Sequence, residues 1–418
     1  MRTENTINLG NLLLSLSNAA DLANTKIAQH QQRTAYIALE ICKTAGVSEK
    51  VTADIFMAAL MHDLGAITIS ETKSMDNFET LNTDDHCLRG ELLLRRIPEF
   101  QRVAKIVRNH HTPWTSLREL PESDSVLSSQ ILMLADNIER MINTGKYILH
   151  QTDEITDRVR KLGGVEIDPV LIKIFLEFSH REEFWLDIIS PRLYSLLFHT
   201  GPLHSIEVNY QIIENISKLF RDIIDYKSPF TATHTSGVSA SAEMISKLFG
   251  LTDVEIQEVK IAGNFHDLGK LVVPNSILDK PGKLTKEEYE IIKCHSYYTY
   301  YTINSIEGLE HIAEWAAYHH EKLDGSGYPF HYDKNDITIF SRIIAVADIF
   351  TAVSEHRPYR KKMEKEEIIK FLSGLSKDNL IDSKVVELLF DNYDSISEHV
   401  SIIQELSSEF YNTRLNGV

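Results

Sequence analysis

The sequence predicts an all-α fold built from two tandem helical bundles of one type. Three observations carry that expectation. Apolar residues recur at helical spacing, β-branched runs alternating with period two are nearly absent, and one ordered pattern of histidines and aspartates occurs twice. Taking the clearest helices in turn, residues 53–64 and 256–268 are apolar at a spacing of about 3.6 residues and end at Gly65 and Gly269, which read as C-cap glycines. Residues 206–224 read as an amphipathic helix whose apolar face is Ile212, Ile213, Ile216, Leu219, Phe220 and Ile223.

The repeat sets the domain organisation. His30 and His234 are 204 residues apart, and the same displacement lays Met61-His62-Asp63-Leu64-Gly65 on Phe265-His266-Asp267-Leu268-Gly269, and Asp21 on Asp225. His86 and His295, then His110-His111 and His319-His320, pair at 209, and Asp136 pairs with Asp348 at 212. A displacement that only creeps upward is what small loop insertions produce. Two copies of one domain are expected, residues 1–200 and 201–418, with Thr200-Gly201-Pro202 as the breaker between them.

Composition narrows the function classes. A chain of 418 residues, 43% hydrophobic and 25% charged, can bury a sizeable core. Sixty acidic against 43 basic side chains give a net charge of −17, which argues against a DNA or RNA polymer or an anionic membrane as partner, because such binding relies on a positive field. No apolar run approaches the roughly 18 residues of a membrane span, and the N-terminus lacks a signal-peptide layout. Cys42, Cys87 and Cys294 are dispersed and odd in number, so a disulfide framework is not expected and a reducing cytoplasm is. Cys87 beside His86 and Cys294 beside His295 read as small buried thiols.

The second copy concentrates the chemistry. His234, His266, Asp267, His295, His319, His320 and Asp348 supply five imidazoles and two carboxylates from separate helices, a donor set that suits iron, manganese or zinc. Any one of them could be an ordinary core or surface residue. Seven in a repeated order point to a metal centre, since burying that many ionisable groups without a cation is costly. Adjacent helical residues diverge by about 100°, so His266 and Asp267 can aim at one point only near a helix end.

The second copy resembles the HD-GYP domains, a subgroup of the HD phosphohydrolases that hydrolyse cyclic dinucleotides. The matching text is His266 to Lys270, Val273 to Asn275, Ile277 to Thr285, Ile292 to His295, His319-His320-Glu321-Lys322-Leu323-Asp324-Gly325-Ser326-Gly327-Tyr328-Pro329, Ala347-Asp348, and Arg357-Pro358-Tyr359-Arg360. The first copy resembles only the general HD pattern. The resemblance implies two divalent ions, iron or manganese, one held by His234, His266, Asp267 and Asp348 and the other by His295, His319 and His320, with Asp267 bridging. It implies a metal-activated water as nucleophile, Lys270 against a phosphate oxygen, and substrate contacts from Gly325, Gly327, Tyr328, Pro329, Arg357 and Arg360. The expected reaction opens cyclic di-GMP to the linear 5′-phosphorylated dinucleotide. The alternatives are 3′,3′-cyclic GMP–AMP as substrate, and a metal-loaded cyclic dinucleotide receptor without useful turnover. A homodimer, and a protein partner at the Gly-Tyr-Pro loop, are open to such a bacterial signalling protein.

Some positions depart from the family pattern. Phe230 stands where members with a third metal carry Glu, so two ions per site are expected. Ser296, Thr299 and Thr351 replace frequent family residues, and Tyr297, Tyr298, Tyr300 and Tyr301 crowd one helix as core packing or base-stacking groups. In the first copy the ligand types are complete: His30, His62, Asp63, His86, His110, His111 and Asp136. Yet Ala66 replaces the lysine, no Gly-Tyr-Pro loop follows His111, and Gly145 falls where Arg357 lies. Asp84, Asp85 and Glu91 would repel an anionic ligand there, so this copy is expected to be catalytically silent.

Overall fold

The computed structural model describes residues 6–22, 29–66, 83–119, 124–227, 233–355 and 361–415. Among them the fold is α-helical, and the β segments Ile7–Asn8 and Glu207–Val208 are two residues each. The chain divides into two compact units, one built mainly from residues 8–207 and the other from residue 208 onward.

Each unit is organised around the helix that begins at its first histidine. In the first, His30–Ala45 packs against Glu49–Met61 and Asp124–Arg140. In the second, His234–Phe249 packs against Asp253–Phe265, Ile339–Ser354 and Tyr393–Phe410. Ile256, Val259, Ile261, Ala262 and Phe265 are buried, as the apolar spacing requires. The amphipathic helix spans Tyr210–Lys227, later than its apolar pattern suggests, because the Asn209 side chain accepts from the Ile212 amide at 3.1 Å and starts it there. Thr252 and Thr285 each close a capping box with the glutamate three residues on.

Two repeated features acquire a structural reason. Asp21 accepts from the Gln31 amide at 3.3 Å, and Asp225 from the Thr235 amide at 3.1 Å and the Thr235 hydroxyl at 2.6 Å. Each buried carboxyl therefore anchors the first turn of the helix carrying the first histidine. Burial pushes both carboxyls up to about 7.

The glycines after the two His-Asp pairs are not left-handed caps. That role falls to Gly46 (φ 66°) and Gly250 (φ 85°), which end the first-histidine helices. Gly65 and Gly269 instead let two backbones touch. A Cβ on Gly269 would lie 1.9 Å from the His295 carbonyl oxygen, and one on Gly65 would lie 2.1 Å from the His86 carbonyl oxygen.

Candidate metal centre

In the second unit the helix Asp253–Phe265 stops just before His266, and a 3-10 turn, Leu268–Val272, follows Asp267. The helix end brings the two side chains onto one point, with His266 Nε2 3.2 Å from Asp267 Oδ2. Thr299, on Lys286–Asn304, latches this turn: its hydroxyl accepts from the Gly269 amide at 2.9 Å and donates to the His266 carbonyl at 3.1 Å. A departure from the family pattern thus has a structural role. Thr351 has a smaller one, its hydroxyl lying 3.2 Å from that of Ser241.

The seven donors converge. His234 Nε2 is 3.0 Å from Asp348 Oδ1, His295 Nε2 is 3.5 Å from Asp267 Oδ1 and 3.4 Å from His319 Nε2, and His320 Nδ1 is 3.9 Å from Asp348 Oδ2. Ligand atoms of His234, His266 and Asp348, of His266, Asp267 and His319, and of His295, His319 and His320 lie within 4.8 Å of one another in each group. These clusters could hold metal. His266, His295 and His319 each direct Nδ1 at the carbonyl three residues before, Gly263, Ile292 and Ala316, at 2.6–2.8 Å. That hydrogen bond fixes the tautomer and leaves Nε2 as the inward lone pair. His266 Nε2 is buried with no hydrogen-bond partner, a costly state unless a cation takes the lone pair.

Electrostatics agree with that reading. Burial, reinforced by His320, pushes the His295 imidazole down to about 3, and burial pushes His320 down to about 4, so both stay neutral and able to ligate near pH 7. Burial tends to raise the Asp267 carboxyl, but His266 and Lys270 outweigh it and hold it well below the usual carboxylate range. Lys270 Nζ donates to Asp267 Oδ2 at 2.5 Å. Glu355, which the sequence pattern misses, accepts from His234 Nδ1 at 3.1 Å. It lies seven residues beyond Asp348, outside any ligand spacing.

A cavity of about 670 Å³ adjoins this cluster, lined in part by Lys270, Lys280, Lys283, Tyr289, His295 and His320. The Gly-Tyr-Pro loop braces its histidine side. The Tyr328 amide donates to the His320 carbonyl at 3.3 Å, and the Tyr328 ring packs on His320 with centroids 4.8 Å apart. Gly325 has φ 80°, whereas Gly327 is needed for close approach, since a Cβ there would lie 2.4 Å from Glu321 Cα. Pro329 follows Tyr328 in this loop. Tyr300 packs against Tyr318 and Phe330, while Tyr297 and Tyr301 are exposed. Cys294, expected to be buried, is only partly so. Phe230, Arg357 and Arg360 lie outside the described residues.

The first unit repeats the cluster with one decisive difference. His30 Nε2 lies 3.4 Å from Asp63 Oδ2 and 3.2 Å from Asp136 Oδ1, and Glu139 accepts from His30 Nδ1 at 2.5 Å. Arg140, four residues after Asp136, folds into the site: its Nε donates to both Asp136 oxygens at 2.8 and 2.9 Å, and its Nη2 reaches Asp63 Oδ2 at 3.5 Å. A guanidinium occupies the carboxylate half where the second unit has Ala352 in the matching place. The expected anionic repulsion is weakened, because Asp84 pairs with Arg108 at 2.6 Å and Glu91 with Arg95 at 2.6 Å. Arg140→Leu would strand two buried carboxylates. It is expected to lower the unfolding free energy by about 3–5 kcal/mol in chelator-treated protein, measured by urea denaturation. Wild-type stability would mean that the guanidinium does not compensate them.

Comparison with known proteins agrees with the repeat. Residues 27–141 and 218–385 each match the HD domain family. The chain is 29% identical over 397 residues to 3′3′-cGAMP-specific phosphodiesterase 1 of Vibrio cholerae, covering 92% of both chains. It is 35% identical over 180 residues to a cyclic di-GMP phosphodiesterase of Thermotoga maritima, which covers 43% of this chain and 48% of the relative. The crystal structure of the cyclic GMP-AMP specific phosphodiesterase V-cGAP3 of V. cholerae superimposes with a TM-score of 0.65 at 22% identity, covering 93% of this chain and 98% of that one, which shows a shared fold. With two helical units, a His-Asp cluster in each and an HD match in each, the chain belongs to the HD phosphohydrolase superfamily.

Proposed function

We propose that the chain is a metal-dependent phosphodiesterase that opens a cyclic dinucleotide to the linear 5′-phosphorylated dinucleotide. The observation that carries this reading is the convergence of seven imidazole and carboxylate donors beside Lys270 at the wall of a cavity of about 670 Å³. His234, His266, Asp267 and Asp348 would hold one divalent ion, and Asp267, His295, His319 and His320 a second, with iron or manganese suiting this donor set. When bound, such a pair supplies the Lewis acidity that readies a water and neutralises the phosphodiester.

The chain's own groups do the rest. Lys270 lies 2.5 Å from Asp267 and borders the cavity, so its ammonium can turn onto a non-bridging phosphate oxygen where charge develops. Lys283 adds positive charge to the cavity wall within an acidic chain, Lys280 there being paired with Glu288 at 2.6 Å, and Tyr289 offers a ring face to a base. Gly325, Gly327, Tyr328 and Pro329 hold His320 in place, and Arg357 and Arg360 would add guanidinium contacts to phosphate. Turnover is assigned to the second half, in a cytoplasmic protein. In the first half Ala66 stands at the lysine position and Arg140 fills the carboxylate side, so it is silent.

The relative named for 3′3′-cGAMP matches both halves of the chain, whereas the T. maritima cyclic di-GMP enzyme matches less than half. This favours 3′,3′-cyclic GMP–AMP as substrate, with cyclic di-GMP as the second reading. Protein loaded with manganese or iron and incubated with each dinucleotide, with products followed by chromatography, tests the proposal. Linear product from at least one is expected, and binding without product would support a receptor instead. Lys270→Ala is expected to lower kcat by about 10²–10³-fold with metal content unchanged. Retained kcat would remove Lys270 from the mechanism.

A further inference from the structure

We infer that the first half holds a separate mononuclear metal site, suited to zinc, built from His86, Cys87, His110 and His111. Ligand atoms of these four residues lie within 4.8 Å of one another, and all but His111 are buried. Two of the separations match those around a tetrahedral ion, and Cys87 Sγ also lies 3.4 Å from His110 Nδ1. Zinc bonds of about 2.0–2.1 Å to nitrogen and about 2.3 Å to sulfur put ligand atoms roughly 3.4 Å apart for two nitrogens and 3.6 Å for nitrogen and sulfur. His86 Nε2 and His110 Nε2 are 3.4 Å apart, and Cys87 Sγ is 3.7 Å from His86 Nε2. His110 Nδ1 lies 2.6 Å from the Val107 carbonyl, the bond that frees its Nε2 for a metal.

Two features separate this site from the centre in the second half. Cys87 takes the place next to its histidine that Ser296 takes after His295, where the hydroxyl lies 3.2 Å from His295 Nε2. A thiolate shifts preference toward zinc and away from the harder ions that a carboxylate-rich cluster favours. Arg140 already neutralises Asp63 and Asp136, so a second dication beside the guanidinium would meet repulsion, and the site takes one ion. Asp63 Oδ1, buried without a hydrogen-bond partner and 3.9 Å from His86 Nε2, remains to face that ion.

The test uses the full chain stripped by chelator and titrated with cobalt(II) alone. A near-ultraviolet thiolate-to-cobalt charge-transfer band is expected, reaching at saturation the intensity of one thiolate-bound cobalt per chain and displaced by zinc. Cys87→Ser should lose the band and bind one zinc fewer per chain, with hydrolysis by the second half and circular dichroism unchanged. Cys294→Ser should keep the band. Should Cys87→Ser not fold, His111→Gln, at a partly exposed position, carries the test, with zinc affinity expected to fall at least about tenfold. No band in the wild type, a band that survives Cys87→Ser, a band lost with Cys294→Ser, or undiminished zinc affinity in His111→Gln would overturn the site.

Discussion

Asp267→Ala is expected to abolish turnover and to reduce the divalent metal content of the second half. Asp267 is buried, with Oδ2 on Lys270 and near His266 and Oδ1 facing His295, so it stands between the two groups of histidines. Alanine leaves the His266 and His295 nitrogens without the anion that balances bound cations, and leaves Lys270 without its partner. The loss of kcat should exceed the roughly 10³-fold that follows from removing one oxyanion-hole donor, because on the proposed reading one side chain would serve both ions. Metal analysis of protein purified from manganese-supplemented cells, together with the dinucleotide assay, checks it. Full activity with normal metal content would refute the bridge.

Gly269→Ala is expected to destabilise the second unit by at least about 3 kcal/mol and to deplete its metal, although no ligand is changed. The added methyl would lie 1.9, 2.7 and 2.9 Å from the His295 carbonyl oxygen, carbonyl carbon and Cα. All three are backbone atoms of a helix and cannot swing aside, so the cost reaches or exceeds the upper end of ordinary overpacking. Relief requires the His266–Asp267 turn and the Lys286–Asn304 helix to part, which also breaks the Thr299 latch. Urea denaturation of chelator-treated protein gives the stability change. Wild-type stability with wild-type metal content would show that the two backbones have slack.

Much of this was legible because it is local. Helix type follows from the spacing of apolar residues, and the repeat follows from the order of His and Asp, neither of which needs coordinates. The convergence of His266 and Asp267 was also deducible, since adjacent residues, about 100° apart around a helix, share a point most readily at its end. Gly65 and Gly269 were read for the wrong reason. A glycine after a helix suggests a left-handed cap, but their necessity comes from a carbonyl more than twenty residues away in sequence, which no local pattern encodes.

The sequence by itself determined the all-α class, the twofold pattern and the residue types of both clusters. Only the tertiary structure decided which groups balance one another: Lys270 on Asp267, Glu355 behind His234, and Arg140 across Asp136 and Asp63. The histidines and aspartates of the two halves are the same, and what separates their carboxylate sides is where one cation sits. That placement depends on Coulomb attraction between side chains brought within about 3 Å by packing, an interaction set by distance in space and not by order along the chain.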